Sequence, residues 1–104
     1  MSGGDRDIEG RSAPTPVPWV AAVGLDGETV LFDERSARLH LLDAVATAVW
    51  TRLDGSVTLD DLARDLSTTF GTEEERVRAD VVAFLRRLER EHLLEGVTPA
   101  AAER

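Results

Sequence analysis

The sequence predicts an α+β fold in which a three-stranded antiparallel sheet is followed by a three-helix bundle. Asp26-Gly27 separates two β-prone runs, which is the strongest short hairpin signal. Gly55 and Gly71 stand where two amphipathic segments end, as expected for residues that follow helix C-termini. A third segment carries apolar residues at helical spacing from Val77 onward. A small sheet of this kind needs helices to cover it.

Composition limits the classes of protein that the chain can belong to. Its 104 residues suffice for one domain, and 42% of them are hydrophobic. The absence of cysteine excludes disulfides, thiolate metal sites and cysteine nucleophiles. The net charge of −8 argues against a nucleic-acid partner, whose phosphates need a basic face. No run approaches the ~20 apolar residues of a membrane span, and no signal peptide is evident, so we expect no membrane contact and a cytoplasmic protein.

The predicted domain covers residues 17–96. Residues 1–16 are polar and then proline-rich, which is typical of a disordered N-terminal tail. Residues 97–104 are expected to form a flexible C-terminal tail. Within the domain, strands are predicted over residues 19–25, 29–32 and 38–42.

Helix signals follow the third predicted strand. Asp43 is a suitable N-cap for a first helix over residues 44–53. Thr58 and Asp61 have the spacing of a capping box that opens a second helix, and Thr72 and Glu75 repeat it for a third helix reaching about residue 92. Residues 93–94 suit a short return strand.

Residue patterns for catalysis are missing from the sequence. His40 and His92 have no second histidine or carboxylate at a metal-ligand spacing, and His40 is interpreted as a solvent-facing strand residue. There is no phosphate-binding glycine loop and no nucleophile elbow. Residues 73–75 are three glutamates that suit a solvated helix start. We therefore expect no catalytic residues, no metal, no cofactor and no enzymatic activity.

A binding groove is the more concrete hypothesis. If the third predicted strand lies at a sheet edge, its free N–H and C=O groups can pair with an extended peptide. The third helix has a wide apolar arc that can form the opposite wall. Periodicity leaves open whether Val82 and Leu85 line this groove or belong to the core.

Residues 30–94 resemble the PqqD family, the small leader-peptide-binding domains of pathways that make ribosomally synthesised, post-translationally modified peptides (RiPPs). The order and spacing of several short motifs carry the resemblance: Leu31-Phe32-Asp33-Glu34-Arg35-Ser36, Leu41-Leu42-Asp43, Ala44-Val45-Ala46-Thr47-Ala48-Val49-Trp50, Leu53-Asp54-Gly55, Thr58-Leu59-Asp60-Asp61-Leu62, Phe70-Gly71, the helix from Val77 to Leu88, and His92-Leu93-Leu94.

The resemblance implies a winged-helix-like fold and a role as a leader-peptide recognition element. The leader of a precursor peptide would add as a strand between the third strand and the third helix. It would then be delivered to a modifying enzyme such as a radical SAM enzyme, a lasso-peptide protease or cyclase, or a cyclodehydratase. Carried over by position, the peptide-binding residues are Arg38, Leu39, His40, Leu41 and Leu42 on the strand, and Arg78, Val81, Val82, Leu85, Arg86 and Glu89 on the helix.

Two other functions fit a fold of this class. One is a winged-helix DNA-binding regulator, which the acidic second helix disfavours. The other is an adaptor for a protein partner with no precursor peptide involved. Because an open edge strand can also pair with a second copy, the protein is expected to be a monomer or a weak homodimer.

Overall fold

The structure, a computed structural model, describes residue 10 and residues 12–95. Over these residues the elements in chain order are β1 (Thr15–Pro16), β2 (Val20–Leu25), β3 (Glu28–Asp33), β4 (Arg38–Leu42), α1 (Ala44–Trp50), α2 (Leu59–Phe70), α3 (Glu74–Arg90) and β5 (Leu94–Glu95).

Strands β2, β3 and β4 form an antiparallel sheet in that order. Asp26 and Gly27 both have positive φ angles, 50° and 83°, as a tight two-residue hairpin turn requires. The predicted hairpin and the bounds of the third predicted strand, now β4, are confirmed. Among the described residues β4 pairs only with β3, so its other edge is open.

Local capping signals position the first two helices. Asp43 accepts a hydrogen bond from the Ala46 amide at 2.9 Å, and Thr58 and Asp61 form the predicted capping box. The first helix ends at Trp50, three residues earlier than predicted. The amide of Leu53 bonds to the Trp50 carbonyl, which makes a tighter turn than the α-helix.

The start of α3 differs from the prediction. Its N-cap is Glu73, whose side chain makes no capping hydrogen bond, so the expected capping box of Thr72 and Glu75 does not form. Gly71 adopts a left-handed conformation with φ 65° and turns the chain back onto the end of α2. The Ser67 hydroxyl then donates to the Thr72 carbonyl, which places Thr72 in the turn instead of at the helix start.

The N-terminal segment belongs to the domain from an earlier point than predicted. Thr15–Pro16 pair with β5 in register Thr15↔Glu95, and the Ser12 carbonyl accepts the Leu59 amide at 2.9 Å. The predicted tail of residues 1–16 is therefore too long. Its residues 1–9 and 11, and the C-terminal tail of residues 97–104, lie outside the described residues.

The core lies between one face of the sheet and the three helices. Trp50 is buried there, and so is Val17, only 4% exposed. The remaining large side chains of this core come from all layers: Leu31, Leu42, Val49, Leu53, Leu59, Leu62, Leu66, Val77, Val81, Leu85, Leu88 and Leu93.

Val17→Ala is expected to lower the free energy of unfolding by about 1–2 kcal/mol, because it removes two buried methyl groups. The matched control is Val23→Ala, since Val23 is 58% exposed in β2. Urea unfolding of both variants measures the difference. Equal stability of the two variants would mean that the N-terminal segment does not pack as described.

Candidate functional site

Strand β4 alternates between two environments. His40 and Leu42 are buried on the face that meets the helices, whereas Leu39 and Leu41 are 68% and 65% exposed on the outer face. The expected solvent-facing position of His40 is therefore wrong. Its Nε2 atom is buried with no hydrogen-bond partner in the described part of the chain, which is uncommon for a buried polar atom.

Helix α3 runs alongside β4 in the opposite direction. At one end, Arg38 forms an ion pair with Glu91 at 3.5 Å. At the other end, Asp43, which follows β4, lines the same cavity as Asp80 of α3. The five residue steps from Arg38 to Asp43 in extended chain span about 17 Å, and the eleven steps from Asp80 to Glu91 in a helix span about the same distance. We call the space between β4 and residues 80–91 of α3 the groove.

A cavity of about 470 Å³ lies at the end of the groove where β4 leads into α1. Its apolar surface comes from α1 and α3, and its charged groups are two aspartates and one arginine. The lining residues are Asp43, Val45, Ala46, Val49, Asp80, Ala83, Phe84 and Arg87. We call it the α1–α3 cavity. An apolar pocket with a few charged groups suits one side chain of a bound peptide.

A second cavity of about 480 Å³ lies at the opposite end of the groove. Arg35 stacks over the Trp19 ring, 3.9 Å from its centroid. Hydrogen bonds from the Ser36 side chain, and then from the amides of Arg35 and Ser36, lower the pKa of Asp33, so this carboxylate stays charged and serves the turn. The lining residues of this Trp19 cavity are Trp19, Asp33, Arg35, Ser36, Arg38, Arg90, Glu91 and His92.

None of the helix residues carried over from the sequence lines the α1–α3 cavity or the Trp19 cavity, and their part in peptide binding stays a prediction. Val81 and Leu85 are 1% and 0% exposed in the core, so a ligand cannot reach them in the folded protein. The other carried-over helix residues recur at three- or four-residue spacing and therefore share one face of α3: Arg78, Val82, Arg86 and Glu89. This row lies on a different face of the helix from Asp80, Phe84 and Arg87. The strand residues 38–42 do lie along the groove.

The residues that sequence reasoning missed are those of the α1–α3 cavity. Val45 follows the helical apolar spacing of α1 and yet remains 39% exposed. Phe84 belongs to the apolar stripe of α3 but is only partly buried. An apolar residue that the pattern assigns to the core and that stays accessible is the signal for this cavity, and the sequence alone does not show accessibility.

Arg78→Ala is expected to leave the affinity for a groove-bound peptide within about twofold of the parent protein, because residues outside an interface contribute little. Arg78 pairs with Asp60 at the start of α2. The corresponding variant within the groove is Arg87→Ala, which removes a charged group of the α1–α3 cavity. Titrating each variant with the same leader peptide compares their dissociation constants. A large loss for Arg78→Ala alone would move the binding site to the other row of α3.

The outer face of the sheet carries apolar side chains that are exposed within the described part of the chain. Val23, Leu25 and Phe32 are exposed there, and Phe32 lies opposite Leu39 in the β3–β4 register. A strand added to β4 would place alternate side chains on this face, next to Leu39 and Leu41.

Within residues 10 and 12–95, no three His, Cys, Asp or Glu side chains are placed to hold a metal ion. No helix in the same ranges is long and apolar enough to cross a bilayer.

The fold and the groove define a winged-helix-like α+β domain with an open edge strand beside a long helix. The family model described as "Coenzyme PQQ synthesis protein D (PqqD)" matches residues 28–94, well over half of the chain. The chain belongs to the PqqD family.

Solved structures with the same fold include two at 25% sequence identity. One is "TbiB1 in Complex with the TbiA(beta) Leader Peptide", with a TM-score of 0.74 over 81% of this chain and 98% of that chain. The other is the PqqD truncation of Methylobacterium extorquens PqqCD, described as a stand-alone RiPP recognition element, with a TM-score of 0.73 over 86% of this chain and 96% of that chain.

A third structure, "Lasso peptide synthetase B1 complexed with the leader peptide", is 21% identical and shares the fold, with a TM-score of 0.73 over 81% of this chain and 99% of that chain. Among curated protein sequences no match is found.

Proposed function

We propose that this protein binds the leader segment of a ribosomally synthesised precursor peptide as an added strand on β4, and delivers it to a modifying enzyme of a RiPP pathway. The observation that carries the proposal is the open edge of β4, with one cavity at each end of the strand. Residues of α3 line the α1–α3 cavity, and residues at the C-terminal end of α3 line the Trp19 cavity. Membership of the PqqD family and the leader-bound TbiB1 structure support it.

Strand addition suits the chemistry of this edge. Backbone N–H and C=O groups supply hydrogen bonds that do not depend on the ligand's sequence, and the flanking cavities select side chains. Natural proteins usually protect an open edge with prolines, charges or a bulge. Strand β4 has one charged residue, Arg38, and no proline, so its edge is available to a peptide.

The proposed role requires no catalysis by this chain. The described carboxyl groups with a clearly lowered pKa are Asp33, Asp54 and Asp61, and hydrogen bonds within turns and a helix cap cause each shift. These are structural roles, unlike the opposed pKa shifts of a catalytic acid and base. The chemistry would belong to the partner enzyme, and its class stays open among radical SAM enzymes, lasso-peptide proteases or cyclases, and cyclodehydratases.

The surface of α2 disfavours DNA as the ligand. In a winged-helix regulator a recognition helix needs outward cations to meet phosphates. Here α2 begins with Asp60 and Asp61, and its Arg64 is paired with Asp61 at 3.2 Å. Asp65 is exposed on the same helix.

The proposal is tested by titrating the protein into a fluorescently labelled leader of a short precursor peptide encoded beside its gene. We expect saturable binding with a Kd of about 1 μM or tighter. A scrambled leader and a duplex DNA are the matched controls. Equal binding of leader and scrambled peptide would overturn leader recognition, and tighter, salt-sensitive binding of the duplex would favour the DNA function.

A further inference from the structure

The charged residues that line the two cavities give them opposite net charges. The α1–α3 cavity has two aspartates and Arg87, and the Trp19 cavity has Arg35, Arg38 and Arg90 with Asp33 and Glu91. At the α1–α3 cavity, Asp43 after β4 faces the same space as Asp80 of α3. At the Trp19 cavity, Arg38 of β4 and Arg90 of α3 share one space. The groove therefore has an acidic end and a basic end, with the apolar residues Ala83 and Phe84 adjoining the acidic one.

Several of these charged groups are available to a ligand. The side chains of Asp80, Arg87 and Arg90 make no hydrogen bond or ion pair with any described residue. Asp43 uses one carboxylate oxygen to cap α1, which leaves the other oxygen open. Arg38 is 64% exposed and its pairing with Glu91 is long at 3.5 Å, so a ligand carboxylate can compete for it.

Each end of the groove also has residues of the opposite charge, which either have partners in the protein or lie further along α3. At the basic end, Asp33 is bound by the turn of residues 33–36, and Glu91 forms its ion pair with Arg38. At the acidic end, Arg87 also lines the cavity, but its backbone position is about two helical turns beyond Asp80, ~10 Å along the helix axis toward the basic end. Among the α3 residues that line the two cavities, the charged side chains without a described partner are thus Asp80, Arg87 and Arg90, in order from negative to positive.

We infer that the groove recognises the order of charges along the bound strand, and that Asp43, Asp80, Arg38 and Arg90 are its specificity-determining residues. The inference rests on the proposed function. A basic ligand residue would lie at the Asp43–Asp80 end and an acidic one at the Arg38–Arg90 end. This assigns the ligand class as peptides with one cation and one anion in a fixed order.

The antiparallel sheet gives the direction of that order. β2, β3 and β4 are all antiparallel, so we take the added strand as antiparallel to β4. It then runs from the Asp43 end to the Arg38 end, and the basic residue precedes the acidic one. Because the groove is ~17 Å long, the basic and acidic ligand residues are about four to six residues apart in an extended strand. An even number of steps between them points both side chains to the same face, toward α3.

The probes are two synthetic peptides of equal composition with an alternating valine and threonine sequence. In the first, a lysine precedes a glutamate by about four residues, and in the second the two are exchanged. We expect the lysine-first peptide to bind about fivefold more tightly at low salt, with the preference declining as salt is added.

The double variant Asp80→Arg/Arg90→Glu is expected to reverse this preference. Both side chains are exposed, and circular dichroism checks that the variant folds. The matched control is Asp65→Arg on the exposed surface of α2, which is expected to retain the lysine-first preference.

The outcomes separate this inference from the proposed function. Equal binding of both peptides, or a preference that the double variant leaves unchanged, overturns the charge-order inference while strand capture stands. Binding of neither peptide, by a protein that does bind its leader, overturns the inference alone. Failure of the leader to bind as well overturns both.

Discussion

Leu85→Glu is expected to abolish cooperative folding of the protein. Leu85 is 0% exposed and belongs to the core that α3 forms with its neighbours. A carboxylate placed there has no described partner and loses its hydration, which costs several kcal/mol. Small domains have only about 5–15 kcal/mol of total stability, so this loss removes most of it.

A thermal melt followed by far-UV circular dichroism measures the effect, and the matched control is Leu39→Glu. Leu39 is 68% exposed on the outer face of β4, so its variant is expected to melt cooperatively. A Leu85→Glu variant that melts like the parent protein would show that Leu85 is accessible, and would restore it to the groove wall as the sequence allowed.

Phe84→Ser is expected to weaken leader binding at least about tenfold while the protein stays folded. Phe84 lines the α1–α3 cavity and is partly buried, so it offers an apolar contact surface to a bound peptide. Truncating an aromatic anchor in such a cavity typically costs about 2 kcal/mol or more of binding free energy, and 1.4 kcal/mol is a tenfold change in Kd.

The matched control is Phe70→Ser, because Phe70 is 43% exposed at the end of α2 and does not line either cavity. Fluorescence titration with the same leader compares the dissociation constants of the two variants. Urea unfolding checks that both variants are folded in the titration buffer. Equal affinities for the two variants would place the leader outside the α1–α3 cavity.

Elements defined by local signals were predictable from the sequence. Asp26-Gly27 fixes a hairpin through its own backbone angles, and Thr58 with Asp61 caps α2 through contacts three residues apart. These interactions depend on neighbours in the chain, so the sequence shows both partners at once.

Elements defined by distant contacts were not predictable in the same way. The pairing of Thr15 with Glu95 joins the two ends of the domain, and nothing near Thr15 indicates its partner. Composition alone made that segment resemble a disordered tail. Similarly, Thr72 has the right spacing for a helix cap, but the turn at Gly71 uses it for another contact.

Of the candidate site, the strand wall was predictable from the sequence and the helix wall was not. β4 was predicted as a strand with a possible open edge, and the structure leaves that edge open among the described residues. The apolar arc of α3 is wide, and periodicity does not say which part packs against α1, α2 or the sheet. The core uses Val81 and Leu85, and it leaves Asp80, Phe84 and Arg87 to the groove.

Amide NMR of the protein with and without its leader peptide tests the central claim most directly. Strand addition predicts saturable shifts in residues 38–42 and 80–91, together with slower hydrogen exchange of those β4 amides that gain a partner. Saturable shifts confined to α2 or to the row of Arg78, Val82, Arg86 and Glu89, with unchanged exchange in β4, would contradict strand addition.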